Sequence, residues 1–349
     1  MSGRDHLIQT LRTNSEEAAA WNSPMYSRFC SEMADDVAEA GPTWRLLEPY
    51  AGEPADEYHP FRALAGVHHM ILRGELPELA KHYPSEGGDG DAGAAWPLVR
   101  EAFAGMSHEI LEDLGHPLQT NETARCGALI GGFLTVARES GLPLRVREIG
   151  ASAGLNLHFD RYRYEQGEAA FGPQDSQVRF RDHWLQGVPP FDAPLRVDSR
   201  RGCDLDPIDP TTEEGRIELL GFIFPDQLPR YELLREALEV ARGFPAEVDR
   251  EGIDTWIARE LGEPAEGRAT VVFHSLVWIY LTEEVKAAAM DAIDSAAAAA
   301  TDAAPFSWLR YELGPDLKAC ELRLTSWPGG EERLLGTGDV HLAPVTWLA

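Results

Sequence analysis

A chain of 349 residues with 44% hydrophobic and 9% aromatic side chains has apolar surface enough for a core, and its length suits one large domain or two unequal ones. A formal charge of -27 argues against the clustered Lys and Arg needed to displace counterions from a phosphate backbone, so neither bulk nucleic-acid nor anionic-membrane binding is expected. Of the 31 basic residues only Lys81, Lys286 and Lys318 are lysines, which fits either a high-salt or high-GC source or simple solubility.

Residues 5–140 read mostly as helices. Apolar side chains recur at three and four spacings through Phe61, Leu64, Val67, His68, Ile71 and Leu72, and again through Leu98, Ala102, Met106, Ile110 and Leu114. The Gly/Asp run 85–93 between them lacks the alternating carboxylates and terminal Glu of a calcium loop and is expected as an exposed loop. The adjacent His68 and His69 diverge by about 100° on a helix, which divides them between packing and surface. From residue 142 the pattern changes to short β runs separated by helical segments, the signature of a parallel sheet with crossover helices. Strands are expected at 145–149, 195–198 leading towards Cys203, 246–249, 269–273, 307–312, 319–325 and 345–348. Residues 282–300, with Thr282 as N-cap, two Glu in the first turn and many alanines, predict a helix. The last runs, divided by Pro328-Gly329-Gly330 without a helix, predict an antiparallel hairpin. The expected division is a helical region 1–117 and an α/β domain 118–349.

Four cysteines, Cys30, Cys126, Cys203 and Cys320, stand far apart without a C-x-x-C pair. Neither a zinc cluster nor a disulfide framework is expected, and reduced thiols in a cytoplasmic protein are. The N-terminus has no apolar leader, and the apolar run 271–281 is too short to span a bilayer. Eleven scattered histidines with no H-E-x-x-H give no metal site.

The most informative segment is an apolar strand ending in Glu148, followed by Gly150, Ala151, Ser152, Ala153 and Gly154, then Leu155 and Asn156. Small residues let backbone approach a ligand, and a strand, Gly-rich turn and helix is where a Rossmann-like sheet places its nucleotide. The segment resembles the turn of class I methyltransferases, Glu/Asp-x-Gly-x-Gly-x-Gly, at Glu148, Gly150 and Gly154, with Ser152 in place of the middle glycine. The dinucleotide spacing G-x-G-x-x-G fails at Ser152 and Leu155. A tight turn without a ligand is the alternative.

Asp204, following the second strand with Leu205 beside it, can accept both ribose hydroxyls or belong to a turn with Asp206 and Asp209. Asp254, followed by Thr255, reads either as the acid that meets the adenine amine in class I folds or as an N-cap. Trp256 either flanks the purine or packs in the core, the more expected of the two. The fourth strand delivers His274 and Ser275 to its carboxyl end, where His274 is the catalytic candidate or a buried structural histidine. The two are not a hydrolase pair, because neighbours on a strand point apart. Asn121, Glu122 and Arg125, ahead of the first strand, either line the substrate side or, with Thr120, cap a helix.

Together, Thr120-Asn121-Glu122 with Arg125, the run 148–157, Gly202-Cys203-Asp204 with 207–210, and Val272-Phe273-His274-Ser275 resemble the uncharacterised prokaryotic family named domain of unknown function 2332, across nearly the whole chain. The departures are 222–227, where a tryptophan before the proline is usual, and Leu342 in place of a glycine. The resemblance supports fold and motif positions and carries no activity. The expectation is a Rossmann-like methyltransferase sheet that binds S-adenosylmethionine through Glu148, Gly150, Ala151, Ser152, Gly154, Asn156, Asp204, Leu205, Asp254, Thr255, His274 and Ser275. It would methylate a small or medium-sized acceptor held by Asn121, Glu122 and Arg125 under a lid of N-terminal helices. Two alternatives stay open: a non-catalytic nucleotide-binding sensor or assembly protein on the same fold, and an NAD-dependent oxidoreductase.

Overall fold

The computed structural model describes residues 2–115, 119–340 and 344–349, with backbone alone for Glu109. The expected boundary at 117/118 and the departure at Leu342 fall outside these residues. The chain forms two compact units, Met1–Thr120 with Thr212–Glu232, and Asn121–Thr211 with Leu233–Ala349. The segment 212–232, expected in the α/β part, therefore belongs to the helical unit.

In chain order the helices of that first unit are α1 (Gly3–Ala20), α2 (Pro24–Ala38), α3 (Pro42–Leu47), α4 (His59–Leu72), α5 (Pro77–Ala80), α6 (Ala92–Gly105) and α7 (His108–Gly115). Local chemistry sets their starts: Ser2 and Asp5 form a reciprocal capping box on α1, while Ser23 caps α2 with Pro24 in its first turn. After α8 (Cys126–Ser140), in the second unit, comes α9 (Glu213–Gly221), which packs on α4.

Aromatic burial explains why 212–232 joins this unit. The Phe224 ring lies 4.5 Å from Tyr26 and 5.0 Å from Phe61, and Asp226 accepts hydrogen bonds from Ser23 Oγ at 2.5 Å and Met25 N at 2.8 Å. His68 and His69, expected to part between core and surface, are both buried. His68 Nδ1 faces the Gly221 carbonyl at 3.2 Å and His69 Nε2 the Glu218 carbonyl at 3.0 Å, so each meets a carbonyl near the end of α9. A Cβ at Gly221 would stand 1.9 Å from His69 Cδ2, so only glycine permits this approach.

The second unit is built on a nine-stranded sheet and a small three-stranded one. Its strands are β1 (Leu144–Ile149), β2 (Arg163–Gln166), β3 (Ala169–Phe171), β4 (Arg179–Arg181), β5 (Trp184–Gln186), β6 (Val197–Asp204), β7 (Glu247–Arg250), β8 (Ala269–Ser275), β9 (Phe306–Leu313), β10 (Cys320–Trp327), β11 (Glu331–Gly338) and β12 (Val345–Trp347). Its helices besides α8 are α11 (Ile253–Glu260), α12 (Glu283–Ala299) and the greater part of α10 (Leu228–Gly243). The large sheet runs β5-β12-β11-β10-β9-β8-β1-β6-β7, parallel from β9 through β7 and antiparallel from β9 to β12. The expected terminal hairpin is present as part of a longer antiparallel meander.

One face of the sheet is covered by α8. Phe133 lies edge-on to Phe273 at 5.1 Å, and a Cβ at Gly132 would fall 2.2 Å from Leu309 Cδ1. The other face packs Ile253 and Ile257 of α11 with Ala289 and Ile293 of α12 against Ile149, Val272, Phe306 and Trp308. The first crossover departs from expectation. After the Gly-rich turn the chain makes a 3-10 helix, Leu155–Arg161, and then the sheet β3-β2-β4, so no α-helix joins β1 to β6. Among the described residues, no helix is long and apolar enough to cross a membrane.

Candidate functional site

The bend after β1 holds three residues in left-handed backbone: Gly150 at φ 66°, Ser152 at φ 52° and Gly154 at φ 72°. Glycine takes this region freely, whereas for serine it costs roughly 1–2 kcal/mol. Ser152 is held there by its own amide, which donates to Asp204 Oδ2 at 2.8 Å. The missing side chains do not leave empty space. A Cβ at Gly150 would stand 2.3 Å from Val277 Cγ2, and one at Gly154 2.9 Å from Val248 Cγ2. Ala151 and Ala153 are buried, so the bend meets solvent through Gly150 and Ser152.

Its amides are largely engaged within the protein. Ala151 N donates to Cys203 O at 2.9 Å, Gly154 N to Ala151 O at 2.7 Å, and Leu155 N to Asn121 Oδ1 at 2.8 Å. The amides expected to form a backbone cradle are thus mostly engaged within the protein. Asp204 ends β6 beside the bend and accepts Ser152 N on one oxygen and Asp206 N on the other, at 3.0 Å. A carboxylate oxygen has two acceptor positions, so each keeps room for a further donor. Leu205 follows with 75% of its surface exposed, an apolar platform next to that carboxylate. Asp209 accepts from Thr211 N at 2.9 Å, a turn role.

Strand alternation and register sort the remaining groups by face. Glu148 pairs in register with Phe273 and Gly202, on the α8 face. It is 1% exposed, hydrogen-bonded by the Asn156 side chain, and its Oε2 has no partner. Burial raises its carboxyl well above the ordinary range; the Asn156 bond opposes this, the Asp204 charge adds to it and Arg125 opposes it. Arg125 donates to Ser275 O at 2.9 Å, Ser275 Oγ at 3.4 Å and Val340 O at 3.4 Å. Glu122 rather than Thr120 supplies the cap, accepting Ala124 N. Asn121, Glu122, Arg125, Glu148, Asn156, Asp204 and Ser275 are therefore brought to one corner of the sheet by the turns after β1, β6 and β8 and the segment before α8.

The model of the family described as an uncharacterized protein conserved in bacteria, domain of unknown function 2332, matches residues 9–347. The chain belongs to that family. No curated protein and no solved structure matches it.

In this family 2332 chain His274 stands apart from that corner. It follows Phe273 on β8, so its side chain points to the opposite face, where it is fully buried. Its Nδ1 lies 2.5 Å from Glu312 Oε1, an oxygen that also accepts Val277 N at 3.0 Å and Trp278 N at 3.3 Å. Burial alone would raise the Glu312 carboxyl, but the His274 contact and the two amides outweigh it and hold the group below its usual value. These contacts favour the ionised carboxylate, which can only accept, so Nδ1 carries the hydrogen, and Nε2 is left without a partner. Trp278 stacks over the ring at 5.0 Å, and Leu276 is held at φ 52° in the same turn.

Asp254 is neither N-cap nor buried: Gly252 is the cap of α11, Asp254 sits in its first turn, and Thr255 Oγ1 bonds Gly252 O at 3.2 Å. This turn is tied to Asp204 by Glu251 N donating to Asp204 O at 3.0 Å. Trp256 is core, its Nε1 on Asp249 Oδ2 at 2.6 Å. Sequence reasoning missed Glu312 and Val277. Glu312 had a signal, since Trp308, Arg310 and Glu312 place polar groups at alternate positions on one face of a strand due to be buried.

Proposed function

We propose that the second unit binds S-adenosylmethionine at the carboxyl edge of β1, β6 and β7 and catalyses methyl transfer to a small or medium-sized acceptor. The observation that carries this reading is the direct bond between the left-handed bend and Asp204 on neighbouring parallel strands. The parallel order β7-β6-β1-β8-β9 matches the order 3-2-1-4-5 of the doubly wound Rossmann sheet, in which ligands bind outside the carboxyl ends.

The chemistry of the edge favours a cation. Asp204 lies there with Asp206 and Glu251 adjoining it, Asp206 paired with Arg250 and Glu251 with Arg259, and the turn leads into a 3-10 helix, which supplies no α-helix N-terminus for a pyrophosphate. This speaks for a sulfonium and ammonium ligand and against NAD. Asp204 would accept the ribose hydroxyls, Leu205 would lie against the purine, Asp254 would meet its amine, and Glu148 with Asn156 would face the amino-acid end. Bound S-adenosylmethionine supplies the activated methyl group. The chain's own part is alignment of the acceptor with that methyl group; His274, buried on the other face of β8, does not stand at this edge. A second reading, ligand binding without turnover, draws on the burial of His274 under Trp278.

Calorimetry with S-adenosylmethionine, S-adenosylhomocysteine and NADH tests the reading. Both sulfur compounds are expected to bind and NADH not to, with Asp204→Ala weakening binding at least tenfold. Binding of NADH alone would overturn it.

A further inference from the structure

Glu148 is a buried carboxyl, 1% exposed and next to the Asn156 side chain, and its Oε2 has no hydrogen-bond partner. An ionised carboxylate in such a place leaves lone pairs unmet in a medium of low polarity, which is costly; a carboxylic acid does not carry that charge. The groups facing it are known from each element packed around it. From α8 comes the neutral Cys126 thiol, whose Sγ lies 3.2 Å from Asn156 Oδ1, and from the end of the 3-10 helix the Tyr162 phenol, on which Glu148 also acts. Burial pushes both of these upward, so neither holds charge near neutrality. On β6 stands Asp204, whose negative charge further disfavours a second one at Glu148. The opposing cation is Arg125, and its hydrogen bonds run to the backbone at Ser275 and Val340 and to the Ser275 hydroxyl.

We propose that Glu148 is a neutral acid in the ligand-free protein and that a cationic ligand bound over the bend drives its proton out, so that ligand uptake and proton release are one event. The inference rests on the reading of the carboxyl edge given above. In the step the Glu148 O–H bond breaks, the proton passes to solvent buffer, and the new carboxylate balances the incoming ammonium or sulfonium. A buried acid four residues before Ser152 thereby makes occupancy pH-dependent: affinity rises with pH by up to about tenfold per unit while the free protein's Glu148 stays protonated.

The test is isothermal titration calorimetry of the full chain with S-adenosylmethionine, a net cation at neutral pH, in buffers of low and high ionisation enthalpy. The wild type is expected to release close to one proton per ligand bound, and Glu148→Gln, neutral at every pH, to bind without release. Infrared spectroscopy of the ligand-free protein should show a protonated-carboxyl band that disappears in Glu148→Gln. Binding to the wild type without proton release, or equal release from the variant, would overturn the inference while leaving the functional reading standing. Absence of binding to either protein would overturn both.

Discussion

Replacing Gly150 by alanine perturbs the bend at its tightest point, and the cost has two separable parts. Left-handed backbone at φ 66° costs an alanine roughly 1–2 kcal/mol. The new Cβ would lie 2.3 Å from Val277 Cγ2 and 2.9 Å from Cγ1, and overpacking of this kind costs typically about 1–3 kcal/mol. Gly150→Ala is therefore expected to lose about 2–5 kcal/mol in urea denaturation followed by circular dichroism. Truncating Val277 to alanine removes the two closest contacts and leaves its Cβ at 3.1 Å, while the backbone strain stays. The double variant Gly150→Ala/Val277→Ala should then recover about 1–3 kcal/mol relative to the sum of the single changes, a coupling that a double-mutant cycle reads directly. A Gly150→Ala protein within 0.5 kcal/mol of wild type, or a cycle without coupling, would refute the contact between the β1 bend and the β8 turn.

Two further outcomes follow from the opposite face. Glu312→Gln removes a charge that takes three donors and should cost about 2 kcal/mol at neutral pH. Because the native Glu312 carboxyl is held below its usual 4.5, this stabilisation is complete above that value and fades as pH falls through the native one, so wild type and variant should converge in acid denaturation. Trp278→Ala uncovers His274, and diethylpyrocarbonate should modify that histidine quickly in the variant and slowly in the wild type, as peptide mass spectrometry would read.

Much of the α/β fold was legible because its strands are short apolar runs between turn residues. β1, β8 and β9 fall within one or two residues of the expected 145–149, 269–273 and 307–312, and Thr282 caps α12 as its sequence implies. Legibility failed where tertiary contacts overrode local pattern. β2 to β5 are runs of three or four residues, too short for alternation to register. The stretch after Gly154 holds apolar residues that suit an α-helix, yet Asn121 takes the Leu155 amide and the chain leaves as a 3-10 helix towards β2. Segment 212–232 follows β6 in sequence but is bound to the helical unit by Phe224, Asp226 and the two carbonyls that face His68 and His69. At the site, Asp204 was found from its place after a strand. The pairing of His274 with Glu312 was not, since 38 residues separate them and only the parallel register of β8 and β9 brings them together. Small residues at 150 and 154 suggest room for a ligand; the structure fills that room with Val277 and Val248.

Hydrogen–deuterium exchange with and without S-adenosylhomocysteine tests most directly whether the edge beside Asp204 is a ligand site. Protection is predicted in peptides covering 148–156, 203–206 and 251–255, three separate stretches that converge only at that edge. Protection confined to other segments, or no change at saturating ligand, would contradict it.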